Sequence, residues 1–287
     1  MSVTPVKNRA QTIADLYDVY LPEITRRDGF HFGYSLASER FLDKVTPHLT
    51  ERAREGGPRA ADLCCGIGAS SRILARRLGA EVVGVDIVPA LARAATERAE
   101  QAQSNGRVSF TVGDVMRLPL RAGALDLVWS EDAFCHVPDK QRLFQECHRA
   151  LKDDGVLAFT DWVPGPASEG REKAIEEFEA AWRLAPMPAA ERYYDIVRDA
   201  GFTIVHTDTV ALLNMELNDQ YEEAVGISSW TVKYLALAMK KESLISQFGL
   251  THYEEELARM TFDGYFRDGT LDIIQVVALK AGGHAAD

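Results

Sequence analysis

The residues with the clearest chemical potential lie in Ala61–Ser71, ADLCCGIGASS, where a short apolar run ends in a Gly-x-Gly turn. Gly66 and Gly68 can bend the backbone sharply and let a ligand approach it. The helix expected from Ala69 would present unpaired N–H groups at its start. Three carboxylates recur at comparable places. Asp62 sits four residues before Gly66, Asp86 ends EVVGVD with Ile87 after it, and Asp114 follows VSFTVG with Val115 next. A carboxylate after the second strand of such a unit grips ribose hydroxyls. Asp114 is placed to accept from an adenine amino group while Val115 packs on the ring, or else simply to cap a turn. Ser130–His136 follows a further apolar run. His136 is the base candidate, since histidine titrates near neutrality. Its alternative role is packing against, or bonding, a cofactor or lid.

These features together select a cofactor. A dinucleotide fingerprint asks for a third glycine three residues after Gly68, and that residue is Ser71. Asp62 would repel a phosphate and attract an ammonium group. S-adenosyl-L-methionine carries an ammonium, a sulfonium and a ribose, and no phosphate. The competing reading of Asp62 is a strand-end carboxylate bonded to nearby backbone. The rival functions are an NAD-dependent oxidoreductase and a non-catalytic module that only holds the cofactor.

The elements around these residues alternate. Strands are expected at Ala60–Cys64, Glu81–Asp86, Val108–Val112, Leu125–Ser130 and Val156–Trp162, with helices at Ala69–Leu78, Ala90–Gln103 and Lys140–Leu151, the last of these ended by Gly155. Short apolar strands alternating with helices imply a parallel sheet covered on both faces. Residues 51–58 read as a loop. Beyond Trp162 come helices across residues 168–200, interrupted at Pro186–Pro188, then a strand at Thr203–Val210, a helical insertion over residues 217–262 and a last strand at Leu271–Leu279. The expected fold is therefore α/β and Rossmann-like. It has a mostly parallel seven-stranded sheet with helices on both faces, plus helical lid elements. We read one domain over 1–287, with a helical cap (1–56), a cofactor core (57–165) and substrate-side strands (166–287).

The chain has 287 residues and a formal net charge of −11. That charge disfavours a phosphate backbone as partner, so no nucleic acid is expected. Arg72, Arg76 and Arg77 fall at helical spacing and read as a solvated face. Cys64, Cys65, Cys135 and Cys147 include no CxxC pair and no zinc spacing, which points to free thiols and no metal. Neither an apolar leader nor a spanning apolar run is present, so the expectation is a cytoplasmic protein with no membrane partner. Oligomeric state is not legible. The aromatic residues Tyr17, Tyr20, Phe30, Phe32 and Tyr34 are candidates to cover a cationic cofactor, or else pack helices. Trp162, Trp182, Tyr193 and Trp230 read as core before pocket.

In motif order, DLCCGIG, VVGVDI, GDVMRLPL, LDLVWSEDAFCHV and LFQECHRALKDDGVLAFTDWV resemble the class I S-adenosylmethionine-dependent methyltransferases over about residues 57–162. Lys152-Asp153-Asp154-Gly155 replaces the Lys-Pro-Gly-Gly frequent in that family. EDAFCHVPDK and LFQECHRALK are similar to the sarcosine/dimethylglycine N-methyltransferases and related small-molecule enzymes. GFHFGYS, containing Tyr34, resembles the element that closes over the cofactor in that group. The resemblance implies methyl transfer to a small-molecule acceptor, an amine or a nitrogen, oxygen or carbon centre of a natural product. It also implies cofactor contacts from Tyr34, Asp62, Cys64, Gly66, Gly68, Asp86, Ile87, Asp114, Val115, Ser130 and Asp132. The acceptor itself is not specified, because the site and not the fold carries that choice.

Overall fold

The computed structural model describes residues 34–103, 106–225, 242, 246 and 262–281. Seven strands form one sheet: β1 Arg59–Leu63, β2 Glu81–Asp86, β3 Val108–Val112, β4 Leu125–Glu131, β5 Leu151–Pro164, β6 Phe202–Thr209 and β7 Leu271–Lys280. Their order is β3-β2-β1-β4-β5-β7-β6. β1 to β5 run parallel, and β7 is antiparallel to both β5 and β6. The chain starts at the middle of the sheet and reverses direction of travel between β1 and β4. At that switch the loops leaving the two strands part and open a crevice at their carboxyl ends.

The helices are α1 Tyr34–Val45, α2 Glu51–Gly56, α3 Ala69–Leu78, α4 Pro89–Gln101, α5 Lys140–Ala150, α6 Glu172–Trp182, α7 Ala190–Asp199, α8 Ala211–Val225 and α9 Phe262–Arg267. Strand alternation divides the core. On β5, Leu157 and Phe159 join Leu143, Phe144 and Cys147 of α5 and Tyr193 and Val197 of α7. Val156 and Ala158, pointing the other way, meet Phe41 and Val45 of α1 and Ile73 and Leu74 of α3. A third cluster gathers Trp162, Phe178, Trp182, Met215 and Phe266 with Ile67 and Leu91. Trp162, Trp182 and Tyr193 are thus core residues, each at most 3% exposed.

Two expectations change. Residues 51–56 form a helix rather than a loop, because the Thr50 side chain accepts from the Ala53 N–H and Ala53 is buried. Gly155 lies inside β5, which begins at Leu151 directly after α5. The Leu151↔Leu125 pairing extends the strand backwards through a register shift, so no separate turn is needed. Residues 1–33 of the expected helical cap and most of the expected insertion 217–262 lie outside the described residues, as do Tyr17, Tyr20, Phe30, Phe32 and Trp230.

Phe144 is fully buried, with the rings of Phe134, Phe159 and Tyr193 at 5.9, 5.3 and 5.8 Å. Phe144→Ala should cost about 3–5 kcal/mol, read from the urea midpoint at unchanged slope.

Candidate functional site

Four loops leave the carboxyl ends of β1, β2, β3 and β4 on one edge of the sheet. The first turns through three left-handed residues: Cys64 at φ 55°, Gly66 at φ 53° and Gly68 at φ 75°. A non-glycine residue there stores strain, which clusters at functional sites. The two glycines differ in what they permit. A Cβ on Gly66 would meet nothing within 4 Å, whereas one on Gly68 would lie 2.4 Å from the Phe110 ring. Gly66 therefore faces open space. Gly68 is required by packing against Phe110 and by its place as the left-handed N-cap of α3.

Asp86 staples this loop to its neighbours. Its Oδ2 accepts from the Gly66 N–H and its Oδ1 from the Val88 N–H, each at 2.9 Å. Its carbonyl accepts from the Gly113 N–H after β3, also at 2.9 Å. Burial raises the Asp86 pKa to about 6, against the lowering effect of those N–H donors. Ile87 follows, partly buried against the third cluster.

The other carboxylates are engaged from several directions. Asp62 is 2% exposed, and its Oδ2 accepts from the Ser71 hydroxyl at 2.5 Å. The side chain in place of the third glycine thus anchors α3 to β1. Asp114 accepts from the Met116 N–H at 2.9 Å and so caps a short 3-10 turn, while Val115 is buried in the core. Ser130 is buried and donates to the Leu63 carbonyl at 2.9 Å, which joins β4 to β1. Asp132, left-handed at φ 50°, accepts from the Thr160 hydroxyl at 2.8 Å. His136 is 9% exposed on the 3-10 turn Phe134–His136, its N–H donating to the Ala133 carbonyl. Of Tyr34 only the backbone, at the start of α1, falls within the described structure.

The sequence reading missed Glu131. It accepts from the Ser38 hydroxyl of α1, from the Ser70 hydroxyl of α3 at 2.5 Å and from Trp129 Nε1 at 2.9 Å. It ties α1 to the glycine loop. The available signal was its phase on β4, one residue out of step with Ser130 and Asp132. Arg76 and Arg77, expected on a solvated face, pair with Glu39 of α1.

Burial pushes Cys65 and Cys135 well above the ordinary thiol range, helped by Asp86 at Cys65 and Asp161 at Cys135. None of the four cysteines is in a disulfide. Among the described residues no group of histidine, cysteine and carboxylate side chains could hold a metal, and no helix is long and apolar enough to cross a membrane.

The sequence profile of a methyltransferase-domain family matches residues 61–159, which contain all four loops. Methyltransferase GfsG of Streptomyces halstedii is 25% identical over 85% of this chain and 91% of its own length. The sarcosine/dimethylglycine N-methyltransferase of Halorhodospira halochloris is 30% identical over 58% of each chain. Among solved structures, phosphoethanolamine N-methyltransferase 2 of Haemonchus contortus, in complex with phosphomonomethylethanolamine and S-adenosylhomocysteine, superposes with a TM-score of 0.72 at 20% identity, over 97% of this chain and 61% of that one. With the strand order, the glycine turn and the carboxylate after β2 all in place, the methyltransferase domain at residues 61–159 and these relatives indicate a class I S-adenosylmethionine-dependent small-molecule methyltransferase.

Proposed function

We propose that this enzyme methylates a small-molecule amine or hydroxyl acceptor, with the cofactor held on the 64–68 loop and His136 beside the acceptor. The observation that carries the reading is Gly66. Its left-handed backbone borders open space while the Asp86 carboxylate fixes it from behind. A flat, ribose-bearing cofactor fits such a bare peptide surface.

When bound, S-adenosyl-L-methionine supplies a methyl carbon made electrophilic by its sulfonium. The chain's residues then have three tasks. Asp86 receives ribose hydroxyls while Ile87 and Val115 flank the adenine, with Asp114 offering its carboxylate to the adenine amino group. Asp62, Cys64, Gly68, Ser130 and Asp132 shape the loops around the methionine end, with Tyr34 at the start of α1 closing over it, and the carboxylates favour its positive charge. His136 aligns the acceptor and takes its proton where the acceptor has one to lose. The acceptor class rests on the amine-methylating relatives and on a site whose catalytic candidate is a single imidazole. We also infer one domain spanning the chain, and a cytoplasmic location that suits the free thiols.

The test is methyl-labelled cofactor incubated with sarcosine, phosphoethanolamine and simple phenols, beside calorimetry with S-adenosylmethionine and NAD. Transfer to any of these acceptors supports the reading. Binding without transfer to any acceptor would favour a non-catalytic module.

Asp86 makes the cofactor reading pH-dependent. Its pKa is raised on folding from 3.8 to about 6, so the folded state holds the proton more tightly than the unfolded one. This group's contribution to stability is complete below the unfolded value and is lost as pH rises through about 6. Cofactor binding should run the opposite way, because ribose hydroxyls favour the ionised carboxylate. Affinity should fall as pH drops from 7 to 5, with a proton released on binding below pH 6, and Asp86→Ala should flatten the profile. Calorimetry in two buffers of different ionisation enthalpy checks both.

A further inference from the structure

Lys140 and Asp161 are two opposite charges buried beneath the turn that carries His136, at 7% and 0% exposure. Neither position suits its charge. Lys140 is the first residue of α5, where the helix dipole disfavours a cation. Asp161 is a fully buried carboxylate on β5, and burial raises its pKa, partly opposed by the Lys140 ammonium. Burying a charge carries a desolvation cost that hydrogen bonds and a nearby opposite charge only offset. Stability is therefore a poor explanation of these two residues.

The hydrogen bonds supply a better one. Lys140 Nζ donates to the Phe134 carbonyl at 2.6 Å and to the Val137 carbonyl at 2.9 Å. Asp161 Oδ1 accepts from the Cys135 N–H at 2.8 Å. Its Oδ2 accepts from the Tyr193 hydroxyl of α7 at 2.7 Å, and the Lys140 ammonium lies 5.7 Å from the centre of that ring. The Cys135 carbonyl accepts from the Ala185 N–H at 2.9 Å, and the Val137 N–H closes the turn on Phe134. The two residues thus hold the turn on both sides of His136, with their polar atoms directed to its backbone and to Tyr193 rather than to the open edge.

We propose that Lys140 and Asp161 are positioning residues that lock the 133–137 turn, and with it the His136 imidazole, against the reacting edge of the sheet. The proposal rests on the role given to His136 above. Methyl transfer is sensitive to alignment, since a small displacement of the aligning group from the line of attack slows the reaction steeply. A turn fixed by charge-assisted bonds from β5 and α5 supplies that rigidity without touching the acceptor.

The test compares the wild type with Lys140→Met/Asp161→Asn. This double variant keeps the packing and an acceptor for the Cys135 N–H, but has neither lysine bond and no unpaired buried charge. Tyr193→Phe is the milder second variant if the double does not fold. Three readouts are taken on each. They are amide exchange of residues 133–137, the His136 ring-nitrogen resonances with S-adenosylhomocysteine bound, and methyl transfer to whichever panel acceptor the wild type uses. The expected result is exchange about tenfold faster in the turn alone and a shifted or broadened His136 signal. The same variant should show a kcat about tenfold or more lower, with S-adenosylhomocysteine affinity within about twofold of wild type. Unchanged turn exchange and His136 signals would overturn the proposal, and so would a loosened turn with unaltered kcat. A wild type that fails to bind S-adenosylhomocysteine, or methylates none of the panel, would instead count against the role of the site, and the exchange data would still decide whether the pair holds the turn.

Discussion

Gly66→Val is expected to abolish measurable cofactor binding in a protein that still folds. The backbone at Gly66 is left-handed, so a β-branched side chain there costs about 1–2 kcal/mol in strain. No neighbouring atom stands where the Cβ would go, so no further clash with the protein is added. The isopropyl group would then project from the loop where the cofactor should lie. Loss of affinity of about 100-fold or more corresponds to roughly 3 kcal/mol, a modest figure for a blocked peptide surface. Gly68→Ala provides the contrast. Its Cβ would stand 2.4 Å from the Phe110 ring, so the main damage there is to stability. Calorimetry and thermal unfolding on both variants separate the two effects. A Gly66→Val protein that folds and binds normally would remove the loop from the cofactor site.

The second large effect concerns His136. His136→Ala should lower kcat by about 100- to 10,000-fold for an acceptor whose proton must leave during transfer. For an amine that loses its proton to water beforehand, the decrease should be much smaller. Cofactor affinity should change little, because the loops that hold the cofactor are tied together by Asp86, Ser71 and Glu131 without the imidazole. Turnover and calorimetry on the same variant give the answer. Equal losses in both would place His136 in the cofactor pocket. Unchanged turnover would leave alignment by the surrounding loops to carry the rate.

How much of this was legible in advance differs from element to element. The strands β2 and β3 and the helix α3 have the boundaries expected from the sequence, since short apolar runs alternating with amphipathic stretches leave little choice of element. The glycine turn and the carboxylate of Asp86 were equally visible, because both belong to one local strand–turn–helix–strand unit. The short helix α2 was not, because its stability depends on burying Ala53 against elements distant in sequence.

The order and spacing of residues, taken alone, determined the α/β class and the cofactor, and pointed to the edge of the sheet proposed to hold it. Those properties follow from local backbone geometry and from short-range periodicity, which a linear chain records directly. Tertiary structure decided which partner each polar group took. Ser71 meets Asp62, Ser38 and Ser70 converge on Glu131, and Cys135 and Tyr193 share Asp161. Glu131 lies 93 residues from Ser38 and 61 from Ser70. Such pairings form only when the sheet brings its strand ends together, so no spacing rule along the chain encodes them. The two glycines show the same division. Both are required by backbone conformation, but only the packing of Phe110 shows that Gly68 serves the fold while Gly66 is left facing open space.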